Sequence, residues 1–314
     1  MNTSFPIQAG YVFLGVFVVL IIASIIGKIL RTRAPLHRQE TIANLNARID
    51  SWWVMIVILL LSFLFGHIGT TILFLGVSFA ALREFMSLVY RHRSDHNTIA
   101  ACFYILLPMQ YYFVLTGWYG MFSIFIPVYA FLLLPIIAAM AGNTTNFFER
   151  TAKIQWGAMM TLFCISHIPA LMTLKIDGFE GQNILLVIFM VVVVQASDVC
   201  QYIWGKLMGK RKIMPALSPN KTVEGTVGGI ATATLIAAAC YWLTPFTPFQ
   251  AALIGFVVCL MGFFGGLVMS AIKRSFGVKD WGRMIRGHGG MLDRVDSLCF
   301  AAPVFFHIVR YFWA

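Results

Sequence analysis

The chain has 314 residues, of which 60% are hydrophobic and only 11% are charged, and its mean hydropathy is +0.83. Soluble globular domains are closer to half apolar and carry about 25% charge, so this composition excludes such a domain and predicts many membrane spans. The formal net charge of +11 is compatible with nucleic-acid binding, but an excess of Lys and Arg in cytoplasmic loops explains it better. We therefore expect no nucleic-acid partner.

Ten apolar runs that are long enough to cross a membrane, or nearly so, follow one another along the chain. They predict helices at 10–30, 52–66, 69–82, 99–117, 119–140, 155–174, 183–197, 227–245, 249–269 and 297–313. The first run is too long for a signal-peptide core and is followed by basic residues, so we expect it to be retained. The predicted fold class is all-α, a polytopic transmembrane bundle of about ten helices.

The distribution of positive charge decides how the second and third runs are connected. Only His67 and Ile68 separate these short runs, which permits either a tight hairpin or one long kinked helix. With a hairpin and the N-terminus outside, all 23 Lys and Arg residues except Lys175 and Arg310 fall on one side. A single helix would scatter the cations over both sides, so the positive-inside bias predicts the hairpin and places the basic loops in the cytoplasm.

The candidate chemistry lies in the C-terminal half of the chain. We divide the sequence into an N-terminal transmembrane region at 1–182 and a C-terminal catalytic region at 183–314. Two long polar stretches of the second region, 198–226 and 270–296, are expected to be cytoplasmic loops. The six cysteines show no metal-binding spacing and are interpreted as reduced thiols.

The loop at 270–296 combines cations, glycines and carboxylates. Asp293 and Asp296 are three residues apart, on one face and in the first turn of the last predicted helix. Two oxygen ligands at that spacing suit Mg²⁺ bound to a substrate phosphate. Gly289 and Gly290 precede them, so we expect backbone N–H groups at this helix start to approach a phosphate. Nearby cations would neutralise it; they are Lys273, Arg274, Lys279, Arg283, Arg286 and Arg294.

Each of these features also has a structural explanation. Two aspartates at a helix start can serve only the helix dipole and salt bridges, and a Lys/Arg run can serve only topology and attraction to lipid headgroups. Glu84, which follows Arg83 at the end of a span, is expected to form an interfacial ion pair. It is the co-location of ligands, cations and glycines on one loop that favours a site for a metal-bound polyphosphate.

A second candidate segment lies at 198–225. Asp198 stands at the cytoplasmic end of an apolar run, where a carboxylate is costly unless it is paired or functional. We interpret Ser218–Thr222 as a turn whose hydroxyls, amide and ammonium suit phosphate binding. A capped helix start, with Ser or Thr as the N-cap and Glu224 just inside, is an equally good interpretation.

These two segments resemble the signature of the phosphatidate cytidylyltransferases, also called CDP-diglyceride synthases. Residues 270–296 match the pattern S-x-[aliphatic]-K-R-x4-K-D followed by H-G-G-x-x-D-R-x-D. Residues 218–225 match the pattern S-P-x-K-T-x-E-G. The N-terminal half is similar only as a hydrophobic multi-span region.

The resemblance implies that CTP reacts with phosphatidate, a membrane lipid, to give CDP-diacylglycerol and pyrophosphate, with Mg²⁺ as cofactor. Four residues would be catalytic, namely Asp293, Asp296, Lys273 and Asp280. The metal would be held by Asp293 and Asp296, with Asp198 as a further candidate. Substrate would be bound by Ser218, Lys221, Thr222, Ser270, Arg274, Lys279, His288, Gly289, Gly290 and Arg294. The expected location is a bacterial inner membrane with the active site facing the cytoplasm, and a homodimer is left open.

Three positions depart from the family pattern and are compatible with a divergent paralogue that uses a different lipid acceptor. Gly266 stands where many bacterial members have Asp, Arg286 where Pro or Gly is usual, and Asn220 where Lys or Arg is frequent.

Two other functions are kept as alternatives. A CTP-dependent lipid kinase of the dolichol-kinase type would transfer the γ-phosphate, and an ion-coupled transporter would need acidic residues at mid-span rather than at cytoplasmic ends.

Overall fold

The computed structural model describes residues 5–33, 39–215, 217–285 and 287–314. Within these ranges the protein is a bundle of α-helices with one small β-hairpin. The predicted all-α fold class is therefore confirmed. Arg286, one of the three departures from the family pattern, lies outside the described residues.

Ten long helices follow one another along the described part of the chain. They are α1 (Ile7–Arg33), α2 (Gln39–Leu64), α3 (Gly66–Val89), α4 (Arg93–Thr116), α5 (Tyr119–Met140), α6 (Phe147–Thr173), α7 (Ile184–Leu207), α8 (Val223–Ala239), α9 (Pro248–Ser275) and α10 (Leu292–Trp313). Among the described residues, nine of these helices are long and apolar enough to cross a membrane, whereas α8 is apolar but has only 17 residues. The protein is thus an integral membrane protein with about ten spans, and its orientation stays a prediction.

The second and third predicted runs form the hairpin that the charge distribution predicts. α2 and α3 meet at Gly66, whose φ of 59° lets the chain turn sharply. The two helices are antiparallel, because Trp52 in the middle of α2 and Glu84 towards the end of α3 both contact the segment 288–292. α2 is longer than predicted, since helix-forming residues at 39–51 continue the helix beyond its apolar part.

The loops gather at two ends of the bundle in the arrangement that the predicted topology requires. At one end, a cavity of about 530 Å³ is lined by Pro6, Gly66, Gly117 and the loop before α7. At the other end, Asp95 in the first turn of α4 forms a buried ion pair of 3.0 Å with Arg150 of α6. The two candidate loops, 198–226 and 270–296, meet at this second end.

Glycines bring the helices that carry these loops close together. A Cβ at Gly225 of α8 would lie 2.9 Å from the Cα of Gly205 on α7, and a Cβ at Gly265 of α9 would lie 2.9 Å from the carbonyl oxygen of Asp296 on α10. Larger side chains at these positions would separate the helices. The close packing therefore lets Asp198 on α7 and Asp296 on α10 reach one cavity.

A small antiparallel β-hairpin connects α7 to α8. β1 (Lys212–Met214) pairs with β2 (Ser218–Thr222). The partners across the hairpin are Lys212 with Thr222 and Met214 with Ser218. The interpretation of Ser218–Thr222 as a turn is wrong, because this segment is extended and satisfies backbone hydrogen bonds with β1.

The capped helix start at the end of β2 is confirmed. The Thr222 hydroxyl accepts a hydrogen bond of 3.2 Å from the Gly225 N–H group. Glu224 lies in the first turn of α8, as predicted, and its carboxylate accepts hydrogen bonds from the backbone N–H groups of Lys210 and Arg211. Thr222 and Glu224 therefore hold β2 in place against α7 and α8.

Candidate active site

A cavity of about 370 Å³ lies where α7, β2, α9 and α10 meet. We call it the carboxylate cavity, because Asp198, Asp293 and Asp296 line it. Eight of the predicted site residues come together here, namely Asp198, Ser218, Lys221, Thr222, Ser270, Asp293, Arg294 and Asp296. The two segments that the sequence singles out thus line one cavity.

Asp198 and Asp296 are the least engaged carboxylates of this cavity. Asp198 Oδ2 accepts a hydrogen bond of 3.0 Å from the Ser297 hydroxyl, and Asp296 Oδ1 accepts one of 2.8 Å from the Ser297 N–H group. The two carboxylates are close enough to interact electrostatically. None of the three ion pairs among the described residues involves either of them, so both keep oxygen lone pairs for a ligand.

Lys221 places an ammonium group beside these carboxylates. Its Nζ lies 4.9 Å from the centre of the Phe263 ring and would lie 3.0 Å from a Cβ at Gly266. Burial lowers the pKa of Lys221, while the carboxylates of Asp198 and Asp296 act in the opposite direction. Gly266 therefore leaves open the space next to this ammonium group.

Asp293 is engaged within the protein more completely than Asp296. Its Oδ1 forms an ion pair of 2.8 Å with Lys273, and the two side chains are only 5% and 12% exposed. Its Oδ2 accepts hydrogen bonds of 2.8 Å from the Trp281 N–H group and 2.9 Å from the Gly290 N–H group. Asp293 therefore fastens the preceding loop to the start of α10, and its role as a metal ligand stays a prediction.

Glu84 supports the same helix start, although its position in the sequence suggested an interfacial ion pair. Its Oε1 accepts a hydrogen bond from the Met291 N–H group and its Oε2 one from the Leu292 N–H group, each of 2.9 Å. The expected ion pair with Arg83 is wrong, because the Glu84 carboxylate is buried and caps α10. The sequence signal for burial of Glu84 was the apolar stretch at 85–89, which continues the span beyond this residue.

Three N–H groups at or just before the start of α10 are not open to a phosphate, contrary to expectation. Gly290 donates to Asp293, while Met291 and Leu292 donate to Glu84. The physical reason is that a buried helix start needs hydrogen-bond acceptors, and two carboxylates already supply them. Gly290 also packs so closely against Glu84 that a Cβ has no room there.

Replacing Glu84 by Ala is expected to destabilise the protein by about 2–6 kcal/mol, since two buried N–H groups would each lose an acceptor at a cost of about 1–3 kcal/mol. Glu84→Gln keeps one carbonyl oxygen and should recover part of the loss. The Tm of the detergent-solubilised protein measures both effects, with Glu40→Ala, an exposed carboxylate on α2, as the control. An unchanged Tm in Glu84→Ala would contradict the capping role.

The other predicted residues largely line a second cavity, of about 550 Å³. We call it the basic cavity, because its described lining includes Arg48, Lys279, Arg283 and Arg294 but only one carboxylate, Asp280. The predicted site residues found here are Lys279, Asp280, His288, Gly289 and Arg294. Arg294 lines both cavities, so the two adjoin.

Three predicted site residues lie outside the described lining of both cavities: Lys273, Arg274 and Gly290. Lys273 and Gly290 act through Asp293. Arg274 is exposed, and its Nη1 donates a hydrogen bond of 3.4 Å to the Val278 carbonyl oxygen. The binding role of Arg274 stays a prediction.

The carboxylate cavity offers a donor set that suits a hard divalent cation. Mg²⁺ typically takes one or two protein carboxylates and completes its coordination with water and substrate phosphates. Asp198 and Asp296 supply two such carboxylates. In the described part of the chain, no group of three or more His, Cys, Asp or Glu side chains is arranged to hold a metal ion.

The sequence from α2 to α10 matches a known protein family. Residues 46–312 fit the sequence profile of the Cytidylyltransferase family. Together with the bundle of apolar helices, this match defines a membrane-embedded nucleotidyltransferase. The chain belongs to the Cytidylyltransferase family, and the resemblance found in its two signature segments is confirmed.

Individual relatives extend this finding. YnbB of Escherichia coli (strain K12), an uncharacterized protein, is 37% identical over 298 residues, which cover 94% of this chain and 96% of YnbB. The phosphatidate cytidylyltransferase of Bacillus subtilis (strain 168) is 34% identical over 209 residues, covering 66% and 75% of the two chains. That of Staphylococcus aureus (strain COL) is 36% identical over 159 residues, covering 49% and 60%. The fuller match to YnbB is consistent with a paralogue of the named enzymes.

Proposed function

We propose that this protein transfers the cytidylyl group of CTP to phosphatidate, giving CDP-diacylglycerol and pyrophosphate. The observation that carries the proposal is the meeting of Lys221 on β2 with Asp198 and Asp296 in one cavity. A phosphate-binding cation beside two carboxylates suits a metal-bound triphosphate. The names of the Bacillus and Staphylococcus relatives support phosphatidate as the acceptor.

The position of the cavities supports a reaction at the membrane surface. Both lie at the end of the bundle where the basic loops gather, which the positive-inside rule assigns to the cytoplasm. CTP is a soluble nucleotide, whereas the phosphate of phosphatidate lies at headgroup depth. A cavity at this end of the spans would be accessible to both substrates, and we place it at the inner membrane of a bacterium.

Asp198 and Asp296 would hold Mg²⁺ together with the phosphates of CTP. When bound, this ion would neutralise charge on the phosphate oxygens and stabilise the charge that develops on the leaving group. Lys221 would bind a phosphate oxygen beside the two carboxylates. Lys273 and Asp293 would hold the loop in a fixed position against α10, so that Asp296 continues to line the cavity.

The chemical step is a substitution at phosphorus. An oxygen of the phosphatidate phosphate forms a bond to the α-phosphorus of CTP, the bond to the bridging oxygen of the β-phosphate breaks, and pyrophosphate leaves. Because the attacking oxygen is already anionic, no strong general base is required. Catalysis then consists of positioning the two substrates and neutralising their charge.

The test uses purified protein in detergent with phosphatidate, Mg²⁺ and CTP labelled at the α-phosphorus. We expect label in the lipid phase and pyrophosphate in the aqueous phase. Label that enters the lipid only from γ-labelled CTP would establish the lipid kinase instead. If neither label enters phosphatidate or a panel of lipid alcohols, the proposed function is wrong.

Gly266→Asp is expected to lower the Mg²⁺ concentration for half-maximal activity by about tenfold, because an added carboxylate increases the ligand charge of a divalent-cation site. The new side chain would start 3.0 Å from the Lys221 Nζ, which can shift because it ends a flexible chain. A Mg²⁺ titration measures the effect, with Gly266→Asn as the neutral control of equal size. An equal shift in both variants would count against the metal explanation.

A further inference from the structure

α2, in the N-terminal part of the chain, packs directly against the loop that follows α9. Gly287, with φ of +72°, packs against α2 so closely that a Cβ there would lie 3.0 Å from Arg48 Cγ and 3.2 Å from Asn44 Oδ1. One turn further along α2, the Trp52 ring meets the His288 ring edge-on at 6.1 Å. This contact directs the exposed side chain of Arg48 to the basic cavity.

The basic cavity concentrates positive charge without balancing it. Arg48, Lys279, Arg283 and Arg294 face a space whose described lining contains one carboxylate, that of Asp280. None of the ion pairs between described residues involves any of these five side chains. Like charges that share a cavity repel one another, so an anionic ligand would relieve an existing electrostatic cost.

Arg294 connects this charge to the site of reaction. It lines both cavities, and its buried Nε has no hydrogen-bond partner among the described residues. A guanidinium group is well suited to two parallel hydrogen bonds with phosphate oxygens. A ligand that extends through both cavities at Arg294 would therefore do one of two things. It would carry at least two phosphate groups, or it would place a phosphate next to the phosphate that reacts.

We propose that the basic cavity is a phosphate-binding subsite that α2 completes through Arg48. The inference rests on the proposed function, which places the reacting phosphorus in the adjoining carboxylate cavity. The bound group is a phosphate other than the α-phosphate of CTP. Its source is either the β- and γ-phosphates of CTP, which become pyrophosphate, or the phosphate of the acceptor lipid.

The first experiment measures pyrophosphate binding by calorimetry to the intact protein in detergent, without CTP or lipid. Arg48→Ala should weaken binding by about tenfold or more, as expected for the loss of a charge-assisted hydrogen bond. Arg48→Lys keeps the charge and should lose less. Arg31→Ala, which removes an exposed arginine of α1 at the same end of the bundle, is the matched control and should bind like wild type.

A second experiment separates the two sources by steady-state kinetics on the same variants. If the subsite takes the phosphates of CTP, Arg48→Ala raises the KM for CTP and weakens inhibition by pyrophosphate, with the KM for phosphatidate unchanged. If it takes the lipid phosphate, only the KM for phosphatidate rises. The proposal is overturned if Arg48→Ala matches Arg31→Ala in both Michaelis constants and in pyrophosphate binding.

The binding experiment needs no turnover, which keeps the two proposals distinguishable. Binding of pyrophosphate that depends on Arg48, in a protein that transfers no label from CTP, would refute the proposed function and support the subsite. Normal cytidylyl transfer in Arg48→Ala, with unchanged binding constants, would support the proposed function and refute the subsite. An unchanged Tm in Arg48→Ala would confirm that any loss is local.

Discussion

Asp296→Asn is expected to lower the rate of cytidylyl transfer by at least about 100-fold while the protein stays folded. The amide is nearly isosteric with the carboxylate and can keep the hydrogen bond from the Ser297 N–H group. It removes one of the two charged ligands offered to a metal, whose contribution to the barrier is several kcal/mol. Since about 1.4 kcal/mol is a factor of ten in rate, a loss of this size follows.

The matched control for Asp296→Asn is Asp50→Asn, which makes the same change at an exposed carboxylate of α2 that lines neither cavity. Initial rates with α-labelled CTP should be normal in the control. A rate within a few-fold of wild type in Asp296→Asn would remove this residue from the site. Asp198→Asn should behave like Asp296→Asn if the two hold one metal.

Asp293→Asn is expected to cost stability as well as activity. Its carboxylate neutralises Lys273 in a buried ion pair, and breaking such a pair by removing one partner costs about 3–5 kcal/mol because a buried charge is left uncompensated. The Tm in detergent should therefore fall markedly. Asp293 also holds the N–H groups of Trp281 and Gly290, so the loop should loosen and turnover should fall.

A double variant tests the ion pair itself. Lys273→Met removes the stranded charge, so the Tm of Lys273→Met/Asp293→Asn should be higher than that of Asp293→Asn alone. Activity should stay low in both, because the loop still lacks its carboxylate anchor. If Asp293→Asn has the Tm of wild type and loses only activity, Asp293 is a ligand rather than an anchor.

The membrane architecture was predictable because its determinants are local. The length of each apolar run and the side on which cations fall are properties of the sequence, and together they predicted the hairpin at Gly66. The signature segments likewise predicted that Lys221 and Asp296 belong to one site. The first inference depends on the composition of long segments and the second on a motif with many fixed positions, so a single misjudged position disturbs neither.

The supporting contacts were not predictable in the same way, because they join distant parts of the chain. Arg48 of α2 and Glu84 of α3 meet the loop at 287–292 only when these helices pack against it in the folded bundle. The sequence surroundings of Glu84 suggested an interfacial ion pair, and Arg48 was counted only among the cations that predict the topology. Ser218–Thr222 was misjudged for a related reason, since an extended segment needs a partner strand that the sequence pattern did not reveal.

The cap that Glu84 provides has a consequence for how the protein is made. Glu84 precedes its partner Met291 by 207 residues, and a chain is translated from its N-terminus. The nascent protein therefore inserts α3 while the helix start that it must cap has not yet been synthesised. The loop, Asp296 and the cap are complete only once α10 has been synthesised, so we expect chains that stop short of α10 to be inactive.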